Sequence, residues 1–314
     1  MGSHPRIEDP FQASFLTTRS RNSELWFVNN PELEQAILGY LAKYSSRYAV
    51  KLYAFAVEGN HNQGVAKFPE MNRADFMRDL NSSIARAVPR YTEEYPGGIF
   101  WDRRYSQEFI PDHPDDIEAR FFYTVLQPVQ DGLVPKISEY PGYNCFHDAI
   151  YGIERKFKVI NWGKYNAAKK RNPRTPIKKY EEIVILRYER LPGYEHLSTK
   201  DYAELMKKKL EEYRLLVIKN REARGLKGFV GRAALLKIKR GSRPHKTKTS
   251  TIDSKRPRVL SVCLERWKQS TEQYFSKYFD YQFASKEYRS GNLNVRFPEG
   301  MYRPYLRHSV VSTP

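Results

Sequence analysis

The hydrophobic and polar positions of residues 1–150 switch between two periods along the chain. Apolar runs of strand length occur at residues 11–18, 50–57, 61–68 and 99–110. After Pro31 the apolar residues instead recur every three or four positions, which is the spacing of one buried helix face. These residues are Leu33, Ile37, Leu38, Leu41 and Tyr44. The same spacing predicts helices that begin near Asn72 and near Asp115.

The predicted order of elements is β-α-β-β-α-β-α. Gly59 and Asn60 lie between the second and third strands and predict a tight hairpin turn, in which glycine supplies a positive φ. This order is typical of an α+β, ferredoxin-like fold of the split β-α-β type with an antiparallel sheet. The pattern closes by about residue 150. The sequence therefore predicts one domain over residues 1–150 and a basic, mainly helical C-terminal extension over residues 151–314.

The extension has a different composition from the first domain. Residues 165–180 are rich in Lys, Arg and Pro and are interpreted as a linker or basic loop. The other predicted elements are helices at Thr199–Arg224, Gly231–Ile238 and Trp267–Phe279, a basic stretch at Lys239–Arg258 and an extended tail at Asn292–Leu306.

Charge indicates the kind of partner. The 314 residues include 54 Lys and Arg against 36 Asp and Glu, a net charge of +18. Residues 1–150 have a net charge of −5 and residues 151–314 a net charge of +23, so all of the excess lies in the extension. Such asymmetry favours a polyanion, nucleic acid before a membrane surface.

Cellular location is predicted from what the sequence does not contain. It has no apolar run of the roughly 18–20 residues that a membrane helix needs, and no signal peptide at its N-terminus. Cys145 and Cys263 are the only cysteines. The sequence therefore predicts a soluble intracellular protein in which both thiols are reduced and unreactive.

Four side chains of the first domain are predicted to converge. His61 and Gln63 are two apart on one strand and leave the same face of the sheet. Tyr123 and Gln127 are four apart and share one helix face. Nitrogen and oxygen ligands of this kind suit Mg²⁺ or Mn²⁺, and a metal-polarised phosphate beside a tyrosine suits nucleophilic phosphoryl transfer. Taken singly, Tyr123 equally fits a core aromatic and His61 a surface histidine.

Five segments carry a wider pattern: FLTTRSRNSELWF, YAVKLYAFAVEGNHNQ, FMRDLNSSIARAV, FWDRRYS and FFYTVLQPVQDGLV. In order and spacing they resemble the single-tyrosine transposases of the HUH endonuclease superfamily, among them the REP-associated tyrosine transposases of bacteria. The resemblance covers roughly residues 5–150. Its most specific part is residues 127–134, which match the family's closing Asn-Pro-Val-x-x-Gly-Leu-Val.

The resemblance implies an HUH endonuclease domain that cleaves and transfers single-stranded DNA, at hairpin or palindromic sites. Tyr123 would be the nucleophile and would retain the 5′ end as a phosphotyrosine. His61, Gln63 and Gln127 would be the ligands of Mg²⁺ or Mn²⁺. The expected location is the bacterial cytoplasm, in association with the nucleoid, and both a monomer and a homodimer are consistent with the resemblance.

The chain departs from the family at the paired ligands. The family has His, a bulky apolar residue and His, whereas this chain has His61, Asn62 and Gln63, followed by Gly64 where a large aliphatic residue is usual. These changes predict a weakened strand, a looser metal site or a domesticated relative with altered activity.

Further residues are predicted to contact DNA. Arg19, Arg103 and Arg104 would contact phosphates and Trp101 would stack on a base, although a solvated strand edge explains them equally. Residues 219–258 contain 14 Lys and Arg against two acidic residues, which would supply much of the affinity for the DNA backbone. The contacts predicted in this part are Lys237, Lys239, Arg240 and Arg243.

Other functions stay open from the sequence. The altered motif at residues 61–63 favours a catalytically weakened, domesticated DNA-binding protein, while the intact pair of Tyr123 and Gln127 favours the enzyme. The basic extension also allows an RNA-binding regulator.

Overall fold

The computed structural model describes residues 6–244 and 259–305. In the first half the elements are β1 (Ala13–Arg19), α1 (Pro31–Arg47), β2 (Lys51–Val57), β3 (His61–Lys67), α2 (Arg73–Tyr91), β4 (Ser106–Ile110), α3 (Pro114–Val125), α4 (Gln127–Gln130) and α5 (Phe146–Tyr151). They continue with β5 (Arg155–Ile160), α6 (Trp162–Arg171), β6 (Glu181–Leu186), α7 (Thr199–Ala223), α8 (Arg232–Leu235) and α9 (Leu264–Arg289). Short 3₁₀ helices occur at Arg21–Ser23, Ile137–Glu139 and Ile177–Tyr180.

A four-stranded antiparallel sheet forms the centre of the first half. Its strand order is β2-β3-β1-β4, so β3 is paired along both edges. The register of β3 with β1 runs from the pair Arg19–His61 to the pair Ala13–Lys67. With α1 between β1 and β2, and α2 between β3 and β4, the predicted β-α-β-β-α-β order and antiparallel sheet are confirmed.

The start of α1 shows how local sequence fixes these elements. Asn30 is the N-cap, and its Oδ1 accepts a hydrogen bond from Leu33 N at 3.1 Å, while Pro31 occupies the first turn. The Nδ2 of Asn30 donates to Tyr91 O and to Thr92 Oγ1, at 3.0 and 2.8 Å. One side chain thus caps α1 and ties its start to the end of α2.

Two glycines let the β2-β3 hairpin pack closely. Gly59 does not have a positive φ, so the predicted reason for this glycine is wrong. Its actual role is close approach, because a Cβ there would lie 2.8 Å from Leu25 Cδ2 and 2.9 Å from Val28 Cγ1. Gly64 lies under the ring of Phe55. A Cβ built on Gly64 would be 3.2 Å from Cδ2 of that ring. The strand pairs with β1 from His61 to Lys67 and with β2 from Asn62 to Lys67, with a register shift in β2 between Leu52 and Ala54, and the weakened strand stays a prediction.

The strand predicted over residues 99–110 is shorter in the structure. Only β4 is regular, because the ladder with β1 is interrupted after Asp102 and resumes before it as a single bridge between Ser20 and Trp101. Phe100 packs edge-on against Trp101, with ring centroids 4.6 Å apart, and Trp101 Nε1 donates to Asn81 O at 2.9 Å.

The second half packs on the first half. The β5-β6 hairpin contacts α1, and α7 contacts α4 and α5. The linker predicted over residues 165–180 is wrong, because α6 and a 3₁₀ helix connect β5 to β6. One hydrophobic core contains first-half residues together with Phe157, Tyr188 and Met206, so the division into two domains at residue 150 remains a prediction.

The predicted helices of the second half differ from the structure mainly in length. The helix predicted at Thr199–Arg224 is confirmed as α7, α8 is only four residues long, and α9 extends well beyond the predicted Trp267–Phe279. Residues 245–258 of the predicted basic stretch and Leu306 of the predicted tail lie outside the described residues. Within residues 6–244 and 259–305, no helix combines the length and apolar character that a membrane crossing requires.

Candidate active site at the β2-β3 hairpin

His61 and Gln63 lie on the sheet face that α3 covers. In the register of β1 with β3, Arg19 is opposite His61 and Thr17 is opposite Gln63, and directly opposite residues share a face. Gln63 Nε2 donates to the backbone oxygen of Thr124 at 3.5 Å. The predicted ligand pair is therefore adjacent to the helix that carries the predicted nucleophile.

Tyr123 is half-buried on α3, with its ring edge-on to Phe15 at a centroid distance of 5.6 Å. The Arg120 guanidinium lies 5.1 Å from the ring centroid. Within the described residues the Tyr123 hydroxyl has no hydrogen-bond partner. Burial, followed by the charge of Asp131, raises the pKa of Tyr123, and Arg120 opposes this effect. The phenol is consequently harder to ionise than an exposed tyrosine.

Gln127 starts α4, directly after α3 ends. Its side chain is only 8% exposed. The Nε2 atom donates to Asp131 Oδ2 at 2.9 Å, while Oε1 is buried and has no hydrogen-bond donor in the described part of the chain. Tyr123, Gln127 and Asp131 follow one another at intervals of four residues, so they share one side of the α3-α4 segment.

The tautomer of His61 follows from its neighbour. His61 Nδ1 lies 2.8 Å from Asn60 Oδ1, which can only accept. A neutral ring that donates from Nδ1 to this oxygen has its lone pair on Nε2. Asn60 is itself held by a 2.9 Å hydrogen bond from its Nδ2 to Ser23 O. This arrangement matches the way a metal-binding histidine is oriented by a second hydrogen bond.

Sequence reasoning missed two carboxylates at this site, Glu58 and Asp131. Glu58 N donates to His61 O at 2.8 Å across the turn, so the two residues face each other. The Glu58 side chain is 2% exposed and its Oε1 has no hydrogen-bond donor among the described residues. Burial, and then the charge of Asp131, raises the pKa of Glu58 to about 8. The available signals were the two-residue turn that precedes His61 and the interval of eight residues from Tyr123 to Asp131.

The donor set fits a hard divalent cation. Among residues 6–244 and 259–305, no three His, Cys, Asp or Glu side chains form a metal-holding group. The candidate site instead offers amide and carboxylate oxygens beside one imidazole. The orphaned oxygen of Gln127 is the kind of buried acceptor that Mg²⁺ or Mn²⁺ would satisfy.

The predicted DNA contacts near β4 differ from one another. Trp101 is half-buried and its indole N–H is used within the fold. Arg103 and Arg104 are exposed, and Arg103 forms a 3.2 Å ion pair with Asp102. Arg19 lies at the end of β1, opposite His61. Arg19 is thus the predicted DNA contact that the register places beside the candidate metal ligands.

Residues 230–243 cross over this site, and we call them the strap. At one end Val230 N donates to Gly132 O at 2.9 Å, and at the other Gly241 N donates to Leu25 O at 3.1 Å. In between, Asn29 Nδ2 donates to three strap carbonyls, of Leu235, Leu236 and Ile238. The strap is therefore part of the folded structure around the site.

Two of the four predicted strap contacts anchor the strap. Arg240 donates to Asn29 O at 2.7 Å and forms an ion pair with Glu94 at 3.3 Å. Arg243 forms a 2.9 Å ion pair with Glu24. Lys237 and Lys239 are exposed. The lysines are consequently the better placed of the four to meet an external polyanion.

Comparisons with known proteins find similarity in structure and not in sequence. No protein-family model matches the chain, and no curated protein matches it. A REP-associated tyrosine transposase, solved bound to a REP hairpin, is 18% identical with a TM-score of 0.40, over 47% of this chain and 84% of its own. The tRNA(His) guanylyltransferase from Saccharomyces cerevisiae is 10% identical with a TM-score of 0.31, over 42% of this chain and 64% of its own. At these scores neither likeness decides what the chain does.

Proposed function

We propose that this protein is a metal-dependent endonuclease and strand transferase for single-stranded or hairpin DNA, with an HUH endonuclease domain and a covalent 5′-phosphotyrosine on Tyr123. One observation carries the proposal. His61 and Gln63 lie on the sheet face under the helix that bears Tyr123, and Gln127 follows one turn later with an orphaned oxygen.

The chemistry needs a nucleophile, a place for its proton and charge stabilisation. The bond between Tyr123 Oη and phosphorus forms as the bond from phosphorus to the 3′ oxygen breaks. The phenol proton passes to the Asp131 carboxylate, and the released 3′ oxygen takes up a proton from solvent. His61, Gln63 and Gln127 would hold Mg²⁺ or Mn²⁺, which when bound polarises the phosphate.

Asp131 is assigned the role of the base that takes the phenol proton, because the pKa of Tyr123 is raised. Because the phenol keeps its proton at neutral pH, attack requires a base within reach. Asp131 is the carboxylate whose charge acts most strongly on Tyr123, and Gln127 Nε2 fixes its Oδ2 by the 2.9 Å hydrogen bond. Gln127 would therefore position the base with its nitrogen and face the cation with its oxygen.

The direct test is a covalent adduct. Labelled single-stranded DNA from around the protein's own gene is incubated with the protein and Mg²⁺ or Mn²⁺, and a denaturing gel reports protein-linked DNA. We expect an adduct with the unmodified protein and none with Tyr123→Phe. Tyr305→Phe is the matched control, because Tyr305 is 87% exposed and plays no part in the proposed chemistry.

A non-catalytic DNA-binding protein is the second candidate. The observation that favours it is that Gln63 stands where the related family has a second histidine, so the predicted ligands are one imidazole and two neutral amide oxygens. Tight binding of single-stranded DNA with no adduct under either metal would select this function. Equal or tighter binding of a matched RNA would select an RNA-binding regulator instead.

A further inference from the structure

A cavity of about 960 Å³ lies between the candidate active site and the strap. Arg19, His61 and Asp131 line it, so it opens directly onto the predicted metal and nucleophile positions. Its volume is at the upper end of the range for sites that enclose a small organic group. We infer that this cavity takes an unpaired nucleobase of a DNA single strand, with the strap as one wall. The inference rests on the proposed function.

The walls of the cavity suit the flat faces of a base. One side is lined by Leu25, Val28 and Leu133 from the first half of the chain. The strap supplies apolar side chains to the same cavity: Val230, Leu235, Leu236 and Ile238. Leu236 is 51% exposed, so a base seated in the cavity would cover apolar surface that is otherwise open to solvent. Apolar surfaces on two sides bind a base by burial and contact, without need of a particular sequence.

The charges at the cavity suit the phosphates on either side of such a base. Arg19 lies at the end of β1, while Arg232 and Arg243 belong to the two ends of the strap, and all three line the cavity. Arg232 donates to Glu139 O at 3.2 Å and Arg243 pairs with Glu24, so both guanidinium groups are held in place with donors to spare. A nucleotide presents this combination of an apolar plane and anionic ends.

The strap also explains why the base must be unpaired. The strap is hydrogen-bonded to the first half at both of its ends, so the cavity has walls on two sides. A base stacked and paired inside a duplex offers neither face to such walls, whereas a base in a single strand leaves its stack at a lower cost.

The test compares DNA with and without bases. Fluorescence anisotropy in EDTA measures the affinity for a thymidine 20-mer and for a 20-mer of abasic sites, which carries the same phosphates. We expect the unmodified protein to bind the thymidine strand at least about tenfold more tightly, as stacking contributes about 1–3 kcal/mol per base. Leu236→Trp fills the cavity and should reduce this preference to about threefold or less, with unchanged affinity for the abasic strand.

Leu226→Trp is the matched control. Leu226 is 45% exposed and, like Leu236, is followed by a lysine, but it does not line the cavity. The Leu226→Trp variant should keep the full preference for the thymidine strand over the abasic strand. Thermal melting should show that both variants are folded. Equal binding of the two strands by the unmodified protein, or an unchanged preference in Leu236→Trp, overturns the inference. Because no metal is present, loss of the covalent adduct in the activity test leaves this result unaffected, so the two claims fail separately.

Discussion

Glu58 and Gln127 each bury an oxygen atom that has no hydrogen-bond donor in the described part of the chain. Leaving a buried polar atom unsatisfied costs about 1–3 kcal/mol. An apolar side chain of similar size would be more stable at either position. A cation held by His61, Gln63 and Gln127 would give the Gln127 oxygen a partner, so at the scale of single residues the instability at Gln127 is consistent with the proposed chemistry.

The titration of Glu58 is the first prediction. Its pKa is raised from 4.5 to about 8 by burial and then by the charge of Asp131, so the folded state holds this proton more tightly than the unfolded chain. The stability contributed is complete below about pH 4.5 and is lost as the pH rises to 8. In EDTA we expect Glu58→Gln to gain on the order of 3 kcal/mol over the unmodified protein between pH 4.5 and pH 7.

Urea denaturation at pH 4.5, 7 and 8.5 measures this difference. Glu70→Gln is the control, because Glu70 is exposed and its variant should follow the unmodified protein at every pH. A stability difference for Glu58→Gln that stays constant with pH would show that Glu58 is ionised in the folded protein.

At the scale of elements, the sequence predicted α1 and the long α7 well because each carries a regular apolar stripe and a capping residue. It missed β5 and β6, although Phe157 and Val159 alternate with lysines in β5. The neighbouring Lys, Arg and Pro residues favoured a loop there, and tertiary packing on α1 outweighed that composition.

The candidate site was predicted only in part, for a related reason. His61, Gln63, Tyr123 and Gln127 are spaced within single elements, where periodicity fixes their faces. Glu58 joins them through a turn, and the strap joins them from more than 90 residues away in sequence. Contacts between elements of this kind depend on the register and packing of the whole fold, which local patterns do not contain.

The hairpin turn supplies the element-scale prediction. A Cβ at Gly59 would lie within 3.0 Å of both Leu25 and Val28, so Gly59→Ala should shift the turn and destabilise the protein by about 1–3 kcal/mol. Gly163→Ala is the control. Its Cβ would come no closer than 3.7 Å to a neighbour, within α6, and should stabilise by about 0.5–1 kcal/mol. Equal effects of the two substitutions in urea denaturation would contradict the close-approach account.

At the scale of the whole molecule, the acidic half carries the candidate chemistry and the basic half reaches back over it. The net charge of +23 on residues 151–314 is therefore not confined to a separate tail, since the strap lies beside His61 and Arg19. Two of its arginines neutralise Glu24 and Glu94 of the first half. Lys237 and Lys239 are exposed, and in the proposed function they would contact the DNA backbone.

The salt dependence of DNA binding tests whether the exposed strap lysines contact the DNA backbone. Replacing both lysines, as Lys237→Gln with Lys239→Gln, should lower the affinity for single-stranded DNA and reduce the slope of log affinity against log salt by about 1.4. Lys178→Gln with Lys179→Gln is the matched control, an exposed lysine pair at the 3₁₀ helix before β6. If the control pair changes the slope as much, the strap has no special part in binding.

A covalent role for Tyr123 is decided by the identity of the residue that carries DNA after reaction. The protein is incubated with single-stranded DNA and Mn²⁺, digested with nuclease and trypsin, and the peptides are sequenced by mass spectrometry. We expect a nucleotide remnant on Tyr123 and on none of the other 22 tyrosines. A remnant on another residue, or DNA that is bound but never joined to the protein, would contradict it.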